Sequence, residues 1–340
     1  MNIERYDSAE GLLRAPVFPA FRTFLDRDPQ ANFFQSLEFL EFIRPLTGFR
    51  PVLFLALDVV GNVEGSVLGV YQRDGIGVKA WMSRRLIVWG GPLGSTLAAD
   101  ALLDALLKDA KGNAIYAEFR NRFDTHAVRP VFERHGCTYG PHLNFLIDLE
   151  GEEAAMKKFD PNKRRQVRNS LAAGATCAEV ASEEDLRRLY GMFTGFYSDT
   201  VRKPLPHYSL FQRFHTSPHG RVLVVKHGGR VIGGSLGPVY RDRESHQWFA
   251  YGDNTVEGVH ASVLATWAHI AYAARSGYKR FDFMGAGKPG QGYGVHEFKS
   301  RFGGTEVEHG RYTKVLNRPL YMSGSVGLVV YHRVMGLFKR

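Results

Sequence analysis

The stretch 281–304, FDFMGAGKPGQGYGVHEFKSRFGG, gathers the residue types that can do chemistry. Phe281-Asp282-Phe283-Met284 alternates as a strand end does, a run of glycines with Pro289 interrupts it, and Glu297-Phe298-Lys299 resumes a helical pattern. Glycine at 285, 287, 290, 292 and 294 lets the backbone take positive φ and approach a ligand closely. Lys288, Lys299 and Arg301 surround it with positive charge. Such a loop can hold an anion or an oxyanion. The same composition also fits a surface turn with solvated charges.

A second group of polar residues is expected near the strand ends that flank this loop. Tyr251 and Tyr293 are placed to hydrogen-bond a ligand, although tyrosine in a strand is most often simply packed. Asp253, Glu257, His260 and Asp282 are candidate proton acceptors or substrate binders, and each could equally cap a helix or hold a turn. Upstream, KKFDPNKRRQVRNSLAAG crowds Lys157, Lys158, Lys163, Arg164, Arg165 and Arg168 onto a helix expected to end at Gly174. Arg164 and Arg168 fall one turn apart, while Val167 and Leu171 mark the buried side. That stripe suits phosphate contact or a solvated face.

The elements that must position these residues follow from periodicity. Ser36 is a possible N-cap for apolar residues at helical spacing through Leu46. Val52 to Asp58 and Ser66 to Gln72, around Gly61-Asn62, read as a strand hairpin. Leu97 to Lys111 predicts an amphipathic helix, Ala114 to Phe119 a strand, and Leu143 to Leu149 another. The order then repeats: VLFLALDVVGNVEGSVLGVY from Val52 echoes in VLVVKHGGRVIGGSLGPVY from Val222, roughly 170 residues on. AIYAEF and RFDFM, each after an Ala-rich helix, repeat at a similar offset. The fold class is therefore α/β of the α+β kind, with two copies of one domain, residues 1–150 and 151–340.

A net charge of +10 points to polyanionic company: tRNA, a nucleotide-linked substrate, coenzyme A or an anionic membrane face. No RRM, KH, OB or helix-turn-helix signature is evident, so a dedicated nucleic-acid module is disfavoured and DNA is not expected as a partner. Cys137 and Cys177 stand far apart with no ligand-spaced partner, which suggests neither a disulfide framework nor a zinc site. Asn2 to Asp7 is polar, without a leader pattern, and a cytoplasmic protein is expected. The tail from Tyr321 carries Val326, Val330, Val334 and Leu337 on one helical face. Its apolar run is too short to span a bilayer, leaving docking on the second domain or peripheral membrane contact.

The pattern F-D-F-x-G, a Gly/Pro-rich loop, then F-K-x-x-F-G-G resembles the C-terminal signature of the Fem-type aminoacyltransferases, members of the GNAT-like acyltransferase superfamily. That resemblance implies two tandem GNAT-like domains, each a mixed, mostly antiparallel sheet flanked by helices. It also implies amino acid transfer from aminoacyl-tRNA to a nucleotide- or lipid-linked envelope precursor. By resemblance, Phe298 and Lys299 match the F-K pair at the acyl-transfer centre, with Lys299 at the oxyanion or donor. Arg202 stands where the family has an arginine that contacts acceptor phosphates. Gln35, Ser36 and Glu38 match the N-terminal Q-S-x-E pattern, but Phe39 and Ile43 replace its aromatic and lysine, and Arg44 comes one residue late. The coiled-coil arm of the type members is missing between Leu186 and Arg221.

Acyl transfer to an amine needs alignment and oxyanion stabilisation, worth several kcal/mol each, and no covalent nucleophile. An acyl-CoA enzyme of this superfamily holds pyrophosphate on a glycine loop before its central helix, expected here at Val259 to Ser276. The loop YGDNTVEGVHAS lacks the arginine and the close glycine pair. The sequence thus leads to an aminoacyl or acyl transfer to an amine, with no bound cofactor and with aminoacyl-tRNA or acyl-CoA as donor. An acyl-CoA-dependent N-acetyltransferase and a catalytically silent precursor-binding protein stand as alternatives.

Overall fold

The two expected hairpins lie at the centre of two sheets of the same design. The structure is a computed structural model that describes residues 1–201, 204–290 and 294–323. Its strands are β1 (Asn2–Tyr6), β2 (Phe49–Leu57), β3 (Val63–Gln72), β4 (Arg85–Trp89), β5 (Leu93–Gly94), β6 (Tyr116–Arg120), β7 (Thr138–Gly140) and β8 (Leu143–Asp148). Then come β9 (Thr176–Glu179), β10 (Gly220–His227), β11 (Arg230–Tyr240), β12 (Glu244–His246), β13 (Phe249–Gly252), β14 (Arg280–Asp282), β15 (Thr305–Glu308) and β16 (Arg311–Val315).

One sheet runs β1-β2-β3-β4-β6-β16-β7, with β5 beside β3. The other runs β9-β10-β11-β12-β14-β8-β15, with β13 beside β11. Position by position they correspond, down to the parallel pair in each, β4 with β6 and β12 with β14. A parallel neighbour requires a crossover. In the first unit it is the helix Thr96–Ala110, capped by Ser95 and burying Leu102, Leu103 and Leu106. In the second it is the helix Ala261–Arg275. The latter is buried nearly all round, from Val263 through Trp267 to Ala274, which is what its alanine-rich, almost uncharged sequence requires.

The halves divide differently from the expected 1–150 and 151–340. Among the described residues the compact units are 1–141 with 309–323, and 142–308. The reason is an exchange of strands at the sixth position of each sheet. β8, from the first half of the sequence, pairs with β14 and β15, while β16, from the end, pairs with β6 and β7. Periodicity identifies a strand but not its partners, because pairing is non-local.

The basic helix is also two helices. Glu152–Lys158 ends at Phe159, and Pro161–Ala172 starts anew with Asp160 accepting from the Asn162 amide. Proline at the first helical position lacks the N–H that the preceding turn would have to bond. Val167 is buried as expected, but Leu171 is exposed, and Lys163 takes a place on the buried face. Ser36 does cap its helix, Leu37–Ile43, accepting from the Phe39 amide. The amphipathic tail expected beyond residue 323 lies outside the described residues.

Tyr312 on β16 stacks on Phe132 at 3.9 Å, and its hydroxyl lies 3.3 Å from the Thr125 hydroxyl. Tyr312→Ala should therefore cost about 3 kcal/mol or more in urea unfolding. Amide exchange should rise in β6 and β7 and stay unchanged in β8. Exchange rising in β8 instead would contradict the strand exchange.

Candidate functional site

In the second unit the parallel pair of strands parts. Gln247 N donates to Asp282 O at 2.8 Å, after which β13 continues along β11 while Phe283 to Gly287 turns to Leu143 and Phe145. Among the described residues no backbone hydrogen bond joins the two chains beyond that point. The start of the helix Ala261–Arg275 comes against β13 at Gly252, where a Cβ would lie 2.2 Å from the Ala261 carbonyl carbon. The diverging strands leave an opening in the sheet, with a glycine loop on one arm and a helix start against the other.

The loop arm is pinned by side chains. Asp282, buried at the end of β14, accepts from Met284 N at 2.6 Å and from Asn144 Nδ2 at 2.8 Å. Asn144 Oδ1 accepts from Gly285 N at 2.7 Å. Lys299 Nζ donates to Phe283 O at 2.8 Å and to Gly285 O at 2.6 Å. Ala286 N and Leu143 N close the turn with bonds to Leu143 O and Gly287 O. Met284 and Gly285 sit at φ of 64° and 123°, the second a conformation that only glycine adopts at low cost.

Lys299 thus has a structural task that its motif did not reveal: two of its three N–H bonds go to loop carbonyls. Desolvation pushes its pKa from 10.5 down to about 8, and the Asp282 carboxylate opposes that fall. The residue keeps partial solvent exposure while its ammonium is enclosed. Phe298 is half-buried and packs on Phe302. Lys163, which sequence reasoning grouped with the solvated cations, lies buried with its ammonium 4.7 Å from the Phe298 ring centroid and 5.9 Å from that of Phe302. Burial and then Arg301 lower its pKa. Its spacing from Val167 and Ser170 on one helical face was the available signal.

Other expected site residues are scattered around this centre. Tyr251, on β13, packs its ring 4.7 Å from Phe196, and burial raises its pKa. The Asp253 carboxylate accepts from Thr255 N at 3.0 Å and Thr255 Oγ1 at 2.7 Å, so it holds the turn after β13, and those bonds lower its pKa. Arg164 is half-buried and donates to Lys157 O at 3.2 Å, whereas Arg168 is exposed. Neither shares the face that carries Lys163. Lys288 is exposed on the loop. Arg202 and Tyr293 lie outside the described residues.

The start of the helix Ala261–Arg275 is already engaged by the protein itself. His260 N donates to Ser170 Oγ at 2.9 Å, and Ser262 N donates to Asn254 Oδ1 at 3.1 Å. Buried Cys137 and partly buried Cys177 have thiol pKa values pushed up to about 11 by burial, which keeps them un-ionised near neutral pH.

Residues 157–300 match the family model described as the acetyltransferase (GNAT) domain, a segment that contains the opening, the loop and the Lys163 helix. Over the whole chain the fold is similar to that in the crystal structure of FemX, with a TM-score of 0.69 at 14% identity, covering 95% of this chain and 99% of that one. It is similar also to L-PGS from Bacillus licheniformis (TM-score 0.55, 16% identity, 95% and 97% covered). A tandem GNAT protein from the clavulanic acid biosynthesis pathway gives 0.58 at 12% identity, with 93% and 99% covered. A search of curated proteins gave no match. The protein has the GNAT-like fold in duplicate, the tandem arrangement expected from its sequence, and shares that fold with FemX.

Because the folded-state pKa of Lys299 lies below its unfolded value of 10.5, the folded protein binds fewer protons between about pH 8 and 10.5. Stability from this group therefore rises with pH across that window and is lost as pH falls through 8. Lys299→Met should flatten that slope. It should also lower stability by on the order of 2 kcal/mol, since two loop carbonyls lose their donor. Urea titrations at several pH values test both, and an unchanged slope would contradict the enclosed ammonium.

Proposed function

We propose that the protein transfers an aminoacyl or acyl group to an amine on a cell-envelope precursor, and that the parted strands of the second unit hold the reacting carbonyl. The observation that carries this is the opening itself. The β13 edge, which no longer pairs beyond Gln247, offers backbone groups to a ligand, while on the facing arm a side-chain network takes up the loop's own amides and carbonyls and fixes it in place. Preorganised donors of this kind are what a tetrahedral oxyanion needs, and they require no reorganisation during the reaction.

In this reading the acceptor amine attacks the donor carbonyl directly. The new C–N bond forms as the ester bond to the tRNA 3′-terminal oxygen, or the thioester bond to coenzyme A, breaks, and the amine's proton passes to that leaving atom. Alignment within the opening supplies the rate. Lys299 holds the carbonyls of Phe283 and Gly285, and its remaining N–H supports the developing charge. The Phe283 ring lies against that ammonium, and the neighbouring Phe298 carries the Lys163 ammonium on its ring. Arg164, Arg168, Lys288 and Arg202 are the candidates for phosphates of a nucleotide- or lipid-linked acceptor, Arg202 by the family resemblance alone. Tyr251 borders the acyl group, Tyr293 is a candidate by its place in the sequence alone, and Asp253 shapes the turn beside Tyr251.

Aminoacyl-tRNA is the donor this reading favours. At the start of the helix Ala261–Arg275, the amides of His260 and Ser262 are capped by Ser170 and Asn254, which leaves these donors committed before any pyrophosphate arrives. The match to an acetyltransferase domain model favours the alternative donor, an acyl-CoA.

Incubation of the protein and a nucleotide-linked precursor with a charged tRNA pool, and separately with acetyl-CoA, distinguishes the donors. Label should move from tRNA to the precursor amine. Strong acetyl-CoA turnover without tRNA would overturn the donor assignment, and precursor binding without transfer from either donor would favour a silent binding protein. With a working donor, Lys299→Met should lower turnover by about 10²-fold or more. Lys299→Arg, which keeps donors to the loop, should retain part of it. Near-normal turnover in Lys299→Met would refute the role.

A further inference from the structure

We infer that the segment Asp74–Arg84 of the first unit is a docking surface for an anionic phospholipid membrane. Between β3 and β4 the chain leaves the sheet, forms the short helix Gly77–Met82 and returns. Its apolar side chains point outward: Ile76 is 90% exposed, Val78 73%, Trp81 48% and Met82 42%. Single exposed apolar residues are common, but four along one excursion are not.

The excursion is built rather than frayed. At its base both terminal nitrogens of Arg85 bond the Asp74 carboxylate, at 2.8 and 3.1 Å. Asp74 N donates to Ser83 Oγ at 2.8 Å, and Ser83 Oγ donates back to Asp74 O at 3.2 Å. Ala80 is the buried residue of the helix, so the rest of it faces solvent. Closing the base holds the apolar tip in a fixed position.

Charge complementarity identifies the occupant. Beside the tip is an open pocket of about 430 Å³ lined by Arg50, Tyr71, Arg73, Arg84 and Asn113 among others. Arg84 links pocket and tip, since its guanidinium carbon lies 5.0 Å from the Trp81 ring centroid. Lys79, on the helix, packs its stem beside Gly75. Among the described residues Arg50, Arg73, Lys79 and Arg84 have no acidic partner, and the nearby carboxylates are spoken for. Asp74 is paired with Arg85, and Asp109 with Arg5 and the Tyr71 hydroxyl.

Exposed Ile, Val, Trp and Met beside unpaired cations is the chemistry of interfacial binding. Apolar side chains and an indole enter the headgroup boundary while guanidinium groups meet lipid phosphates. A protein partner with an acidic, apolar face would satisfy parts of this, but an open pocket lined by three arginines and joined to the apolar tip through Arg84 suits several lipid phosphates at once. Docking at this surface is independent of the transfer reaction proposed above.

The test uses the full-length protein with vesicles of phosphatidylcholine alone and of phosphatidylcholine mixed with phosphatidylglycerol. Of the tryptophans, Trp81 is the exposed one, so its emission should shift to the blue with the anionic vesicles and stay unchanged with the neutral ones. Co-sedimentation with anionic vesicles should weaken with added salt. Arg50→Gln and Arg73→Gln should each weaken it by about fivefold. Ile76→Ser with Val78→Ser should abolish the emission shift while leaving the melting temperature in place, because both side chains are already mostly in water. The proposal is overturned if wild type ignores anionic vesicles or if the variants sediment as wild type does. Concentration-dependent self-association that the same variants abolish, without vesicle binding, would also overturn it, in favour of a second copy of the chain.

Discussion

Neighbouring strands cannot part without stranding backbone donors and acceptors, and the second unit meets this constraint with side chains. From Met284 to Gly285 the loop amides are taken by Asp282 and Asn144, and the carbonyls of Phe283 and Gly285 by Lys299. Each replaces a ladder bond that the split removes. The split would otherwise be costly or would close, so the opening depends on this one network. A residue with the chemistry to assist catalysis is at the same time a residue that keeps the site open.

Behind the opening, the rest of the unit holds the two arms apart. The helix Ala261–Arg275 fills the space beneath the sheet, and Phe159, Trp267, Phe283 and Phe302 pack edge to face or tilted at 4.9 to 5.9 Å around the loop's base. Lys163 and Lys299 lie against this aromatic group, on the Phe298 and Phe283 rings respectively. Two ammonium groups in so apolar a setting are disfavoured by desolvation, which is why both pKa values fall. Strain of this kind is expected where function, rather than stability, sets the residue. The first unit repeats the architecture, with Phe119, Phe132 and Tyr312 in contact at its own core.

Local pattern made much of the fold legible. The hairpins at Val52 and Val222, the Ser36 cap and the helices expected at Leu97–Lys111 and Val259–Ser276, found at Thr96–Ala110 and Ala261–Arg275, follow from local pattern. The internal repeat made the duplication visible without any relative. The exchange of β8 and β16 was not legible, because a strand's partner is set by the whole sheet. At the site, glycine spacing announced the loop, but its purpose lay in long-range bonds such as Asn144 to Asp282, separated by 138 residues. Lys299 was singled out, yet its task of holding two carbonyls could not be read from F-K. Lys163 was hidden among cations, and the caps from Ser170 and Asn254 became visible only in three dimensions.

The central claim is that the reacting carbonyl sits between β13 and the loop 283–287, away from the amides that Ser170 and Asn254 already occupy. Amide exchange with and without a hydrolysis-resistant mimic of the aminoacylated tRNA 3′ end tests it most directly. Added protection confined to 249–252 and 283–287 is the predicted result. Protection appearing instead at 258–264, and only with coenzyme A, would contradict the account and place the donor on the helix start.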